Sequence, residues 1–371
     1  MEAAFRPRGM CVYSLDYLKL NNGLRKEQSQ IPEYHEKSDS KVTTCIEPLS
    51  DFDWQQTLPA KHRPFKPVYH ITMAIQASPP DELIIIDSNY LDRVTERRDV
   101  IKQHGPVVLG AVPEGIAALH EVWTYLLSDY LPKRYPTMFS LSDDGLRFHN
   151  KVTGVSLPLT PPEDPDAALR ALGETVEDDL FLLVETPEGH RAVAFVCCHP
   201  AGFDPSDKLG KLLKDIHTPV PSYEKIGASM ERFFSRLQVG KSVKRMNVSA
   251  TPREDITSLR RLQRPTQWSV STKPSLFSPS GLHIYDGDKV EKDENVDTSQ
   301  ELQTLTRLPK TGAVLFSFKT YLTPLEEIKN EGLGPQVADA IDGLKTGNAP
   351  GMWVYKGASR WGESVCEYLR A

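Results

Sequence analysis

Between Lys208 and Tyr223 the chain reads Lys-Leu-Gly-Lys-Leu-Leu-Lys-Asp-Ile-His-Thr-Pro-Val-Pro-Ser-Tyr, an amphipathic stretch halted by two prolines. Pro219 and Pro221 fix their own φ and push the residues before them into extended conformations, so a helix here stops at His217 or Thr218. A second helical stretch, closed by Ser229-Met-Glu-Arg-Phe-Phe234, follows directly. The result is a histidine held stiffly at a helix end, beside a rigid turn. Such an imidazole is a candidate axial ligand for a metal. The plainer reading is a C-terminal helix residue interacting with the dipole.

The rest of the chain places this segment within an α+β pattern. Residues 1 to 50 are polar and read as an irregular N-terminal arm, followed by a single domain over 51–371. Tyr69–Ile75 alternates like a half-buried strand, and Glu82–Asp87 is a short apolar run of strand type. Helices are predicted over Tyr90–Gln103 and, from an apolar stripe at three-to-four spacing, over Glu114–Leu131. A hairpin is predicted from Gly145–His149 and Gly154–Leu159, then a capped helix over Ala167–Leu172. Asp179–Val184 and Arg191–Cys197 flank Glu188-Gly189 as an antiparallel pair. After helices ending at His217 and spanning Tyr223–Leu237 come three strand candidates: Ser242–Ser249, Thr266–Ser271 and Gly312–Tyr321. Tyr285–Ser299 is polar enough for a loop. Two strands, helices, then three strands is the order of a PAS-like antiparallel five-stranded sheet with inserted helices, here carrying an N-terminal helical/β extension.

Composition narrows the function. Net charge is −6 and the basic residues are scattered, which excludes an electrostatic nucleic-acid footprint. There is no N-terminal apolar h-region and no apolar run of membrane-spanning length, so the chain reads as cytoplasmic, with no membrane partner. Five cysteines fit a reducing compartment. Cys197-Cys198-His199 ends an apolar run in which alternation would bury one thiol and turn the other away, and it reads as small apolar residues and not a metal site, since zinc patterns space paired ligands more widely. No Gly-x-Gly-x-x-Gly follows a strand, and there is no Walker A sequence or Gly-x-Ser-x-Gly elbow. The chain therefore has no evident flavin or nicotinamide domain of its own.

An ordered set of segments carries a resemblance. They are Arg63-Pro-Phe65 with Tyr69-His-Ile-Thr-Met73, Arg134-Tyr-Pro136, Val176-Glu-Asp-Asp-Leu180, Lys208-Leu-Gly210 with Ile216–Tyr223, Arg232-Phe-Phe234, Val243-Lys-Arg-Met-Asn247, Gln303–Gly312 and Tyr355-Lys-Gly357. Together they resemble the heme-dependent oxidative N-demethylase family. The resemblance implies a PAS-like fold holding heme b through a histidine. It also implies O2 as co-substrate, electrons from a separate reductase, and oxidative demethylation of a small amine. The chain departs from the pattern at Ser299, at Glu301-Leu302-Gln303, at Val248 and at Cys198-His-Pro-Ala201. At Leu302 a basic residue is replaced, which would remove a salt bridge or a contact to substrate or heme propionate.

Within that resemblance His217 is the metal ligand, one ring nitrogen on iron and the other donating to a carbonyl or carboxylate. His70 is the rival, although alternation puts it on the polar face with Thr72 and Ala74. Arg63, Arg232 and Arg245 are candidate partners for propionates, and Tyr223 joins them as a cofactor-binding candidate. Arg245 shares a strand face with Val243 and Asn247, which makes it the strongest of the three and also a catalytic candidate. A protonated amine needs a carboxylate or aromatic face, and Glu177 and Asp178, just before a strand, are the candidates. The leading expectation is a heme-dependent oxygenase or oxidase acting on a small amine-containing metabolite, with room for a homo-oligomer. The alternatives are a heme-PAS gas or redox sensor, or a heme-free small-molecule-binding module.

Overall fold

The computed structural model describes residues 46–62, 65–200, 203–252 and 296–371. Its strands are β1 (Gln76–Ser78), β2 (Leu109–Ala111), β3 (Phe139–Leu141), β4 (Arg147–Asn150), β5 (Ser156–Pro158), β6 (Asp179–Thr186), β7 (Gly189–Val196), β8 (Ser242–Pro252), β9 (Val296–Arg307) and β10 (Val314–Pro324). The helices are α1 (Tyr90–His104), α2 (Ile116–Thr124), α3 (Leu131–Arg134), α4 (Pro165–Gly173), α5 (Leu213–Ile216), α6 (Gly227–Arg236), α7 (Leu325–Asn330), α8 (Gly334–Asp342), α9 (Met352–Tyr355) and α10 (Ala358–Arg370). A π-helical stretch, Tyr125–Tyr130, joins α2 to α3, so the predicted helix over 114–131 is one continuous helical run.

A seven-stranded sheet has the order β1-β8-β9-β10-β6-β7-β2, with every neighbouring pair antiparallel. A small sheet, β3-β4-β5, stands apart. Because side chains alternate across a strand, the register sorts the large sheet into two faces. Leu180, Leu182 and Leu315 pack with Val94 and Ile101 of α1, Trp123 of α2 and Leu169 of α4. On the opposite face Leu183, Val314 and Leu305 meet Leu213 of α5 and Met230 and Phe234 of α6. Phe181, Phe195 and Phe318 extend that second face. Helices α7 to α10 form a further core around Ile328, Ala338 and Val365.

Three sequence expectations change. The sheet has seven strands where five were predicted; the place expected for Thr266–Ser271, which lies outside the described residues, is taken by β9. Val296–Ser299, expected in a loop, belongs to that strand. Neither Tyr69–Ile75 nor Glu82–Asp87 is a strand. Tyr69 N donates to Gly343 O at 3.2 Å and Ile71 N to Asn348 Oδ1 at 2.7 Å, so this alternating segment docks on the C-terminal helices, and Ala74 turns it with φ 49°. In the Leu83–Ile86 run, tyrosine hydroxyls stand in for a neighbouring strand. Tyr130 Oη accepts from Ile84 N at 3.0 Å and Tyr135 Oη from Ile86 N at 3.3 Å. Backbone groups buried with apolar side chains must find partners, and side-chain hydroxyls serve. Among the described residues no helix is long and apolar enough to cross a membrane.

Candidate functional site

The helix expected to run up to His217 is a single turn. Residues 210–212 pair with β7 instead: Gly210 N donates to Ala192 O at 2.8 Å, Ala192 N to Lys211 O at 3.0 Å, and Leu212 bridges Arg191. Gly210 makes the turn into this pairing with φ 75°, a conformation costly for any residue with a Cβ. The turn α5 then ends where the prolines dictate, with Val220 N closing back onto His217 O at 2.9 Å.

His217 Nδ1 lies 2.8 Å from Leu213 O. A carbonyl oxygen only accepts, so Nδ1 carries the proton in the neutral ring and Nε2 carries the lone pair. The ring stacks on Tyr223, with centroids 4.9 Å apart and planes at 7°. Burial holds the imidazole below its ordinary pKa, and the nearby charge of Arg245 adds to this against the Leu213 hydrogen bond. A neutral, oriented imidazole with a basic Nε2 is the form that binds metal.

Arg245, whose charge acts on His217, belongs to a polar cluster at one end of the sheet. Cross-strand pairing sets Arg245 opposite Gln303 and Asn247 opposite Glu301, so all four share a face. Asn247 Nδ2 and Gln303 Nε2 both donate to Glu301 Oε2, at 3.1 and 3.0 Å. Lys356 Nζ, from the turn between α9 and α10, donates to Asn247 Oδ1 at 3.2 Å and lies 6.0 Å from the centre of the Tyr69 ring. Burial pulls the Lys356 ammonium down to about 8, with Glu301 opposing and Arg245 reinforcing. Arg245 Nε is buried and has no hydrogen-bond partner among the described residues, and burial lowers its pKa despite Tyr69 and Glu301. The apolar wall of this face is aromatic: Phe181 stacks on Phe195 at 5.4 Å and on Phe318 at 6.2 Å.

The structure thus brings together His217, Tyr223 and Arg245. It does not bring the other candidates there. His70 is exposed, and Arg232 lies on the exposed side of α6, donating to Ser229 Oγ at 3.0 Å. Arg63 lies outside the described residues. Glu177 and Asp178 are fully buried on the other face of the sheet. Lys319 Nζ pairs there with Glu177 Oε2 at 2.9 Å and Asp87 Oδ2 at 2.7 Å, while Ser317 Oγ donates to Asp178 Oδ1 at 2.9 Å. Burial pushes the Asp178 carboxyl up to about 7, with Lys319 opposing and Glu177 reinforcing. Leu302 pairs with Lys319 on that same far face, so a basic residue there would not reach His217.

Glu301 and Lys356 escaped a functional reading in the sequence. The signals were the alternation Glu301-Leu302-Gln303-Thr304-Leu305 and the short Tyr355-Lys-Gly357 motif. Cys197 and Cys198 are both buried, where alternation predicts one thiol buried and the other turned away, and burial raises the Cys198 pKa to about 12. Cys197 Sγ lies 3.4 Å from Asp179 Oδ2.

The family model for the haem-dependent oxidative N-demethylase, alpha subunit-like, matches residues 74–366, most of the chain. The chain belongs to this family. The match runs from before β1 into α10 and so encloses His217, Arg245 and the Glu301–Lys356 network. For an N-demethylase alpha subunit-like chain the name implies haem, and the site can be tested for it. An imidazole whose Nδ1 is tied to a carbonyl suits an axial position. A buried guanidinium nitrogen without a partner suits a propionate carboxylate, and stacked phenylalanines suit a flat apolar macrocycle. Among the described residues no group of three or more His, Cys, Asp or Glu side chains could hold a metal ion. The residues present fit the group.

Proposed function

We propose that this chain is the haem-bearing subunit of an oxidative N-demethylase. It would hold haem b through His217 and act on a small amine-containing metabolite with O2 and electrons from a separate reductase. The observation that carries this reading is the fixed tautomer of His217, set in a segment enclosed by the family match. The strand order of the inner five strands, β7-β6-β10-β9-β8 with α5 and α6 inserted between β7 and β8, supports a PAS-like core. The family's description as an alpha subunit supports a partner subunit.

When bound, haem would supply activation of O2. The chain's own contributions follow from the geometry. Leu213 O orients His217 and keeps Nε2 basic. Arg245 would pair with a propionate through its buried guanidinium. The Glu301 carboxylate, held by Asn247 and Gln303, is the acidic group of this network and would offset the charge of a protonated amine. Lys356, with its lowered pKa, exchanges a proton with little cost near neutral pH. The overall change balances: one N-methyl amine, one O2, two electrons and two protons give the demethylated amine, formaldehyde and water. It passes through hydroxylation of the N-methyl carbon and collapse of the hemiaminal.

The test is aerobic turnover of the hemin-loaded protein with a generic ferredoxin reductase couple and a panel of N-methyl amines beginning with dimethylamine. The reading predicts formaldehyde and the shortened amine in equal amounts from at least one of them. Stable O2 binding with no formaldehyde from any amine would favour a sensor and overturn the catalytic reading.

A further inference from the structure

Tyr223 is closely seated, although among the described residues its hydroxyl makes one weak contact, 3.8 Å to Met230 Sδ. The residue before it, Ser222, has φ 61°, a left-handed conformation unfavourable for a non-glycine residue. Pro221 lies against Gly351, where a Cβ would come within 3.0 Å of the proline Cβ. On the ring's flank sits Gly227, the first residue of α6, where a Cβ would fall 2.9 Å from Tyr223 Cε1 and 3.3 Å from its Cζ. One face of the ring carries the His217 imidazole, nearly parallel.

We propose that Tyr223 is a positioning residue, a plate wedged by Gly227 that fixes the plane of the His217 imidazole and so the direction in which Nε2 points. The proposal rests on His217 being the haem ligand, and it assigns the work of orientation to two anchors. Leu213 O holds Nδ1 and sets which nitrogen is basic. Tyr223 then removes rotation about the Cβ–Cγ bond. A ring held only by one hydrogen bond can still rock about it; a parallel aromatic face at 4.9 Å stops the rocking. Strain at Ser222 is the kind of local cost that persists where the surrounding structure over-determines a conformation.

Four proteins test it: wild type, Tyr223→Phe, Tyr223→Ala and Gly227→Ala, each checked for cooperative melting. In the apo proteins the readout is the rate of His217 carbethoxylation by diethyl pyrocarbonate, followed by peptide mass spectrometry. After hemin loading the readouts are the low-temperature EPR g-values and the hemin affinity. Tyr223→Phe keeps the plate and is expected to match wild type. Tyr223→Ala is expected to modify faster, to broaden the g-values, and to bind hemin about two- to tenfold more weakly, the fold-change an aromatic pair is worth. Gly227→Ala favours the helix, so a change in the His217 signals there reports the displaced ring and not lost folding. Unchanged modification rates and g-values in Tyr223→Ala and Gly227→Ala would overturn the plate while leaving His217 as ligand. A wild type that takes up no hemin would overturn the ligand reading, and the apo rates would still decide whether Tyr223 positions His217.

Discussion

Replacing Asp178 by Asn tests what the buried carboxylates beneath the sheet do. Asp178 is fully buried; one oxygen accepts from Ser317, and the other, Oδ2, has no hydrogen-bond partner among the described residues. Its pKa rises from the ordinary 3.8 to about 7 because burial disfavours the charge more than Lys319 restores it. The folded protein therefore binds this proton more tightly than the unfolded chain. The stabilisation is fully present below about pH 4 and is lost as pH rises through about 7. That difference in proton affinity corresponds to roughly 4 kcal/mol lost across the window. Asn keeps the acceptor for Ser317 and has nothing to ionise. Urea unfolding of both proteins at pH 5, 6, 7 and 8 should show the variant gaining on wild type by ~2 to 3 kcal/mol between pH 5 and pH 7. Parallel stability curves would refute the reasoning, because the burial argument requires the wild type alone to lose stability in this range.

Lys319→Met should cost about 3 to 5 kcal/mol in urea unfolding, because it strips Asp87 and Glu177 of the ammonium that both contact in a buried setting. Gly347→Ala should detach the 65–71 segment, since an added Cβ would overlap the Tyr69 carbonyl oxygen; the expected loss is about 3 kcal/mol or more, with raised hydrogen exchange at Tyr69 and Ile71.

Much of this architecture was readable from residue pattern because local signals agreed with tertiary demands. Asp164 caps α4 through a hydrogen bond from Asp166 N, and β6 and β7 turn at Glu188-Gly189 as their alternation implied. The failures have physical causes. Leu83–Ile86 looks like a strand because it is apolar and β-branched, yet two distant tyrosine hydroxyls satisfy its backbone. The helix before His217 was read as long because Lys208–Lys214 is amphipathic, but β7 had an open edge that captured residues 210–212. The helix end at the prolines and the face shared by Arg245 and Asn247 were legible from local pattern and are found in the fold. Glu177 and Asp178 could not be assigned to a face before the register of β6 against β10 was known, since a shift of one residue exchanges the faces. Lys356 meets Asn247 across 109 positions of sequence, a pairing that no local pattern encodes.

His217 as the axial ligand is the claim on which the rest depends. Its most direct measurement is the visible absorption spectrum of the purified chain titrated with hemin, for wild type and His217→Ala. Wild type is expected to show a sharp Soret band saturating at one hemin per chain, lost or reduced to free-hemin absorbance in the variant. An identical, saturable Soret band in both proteins would contradict it.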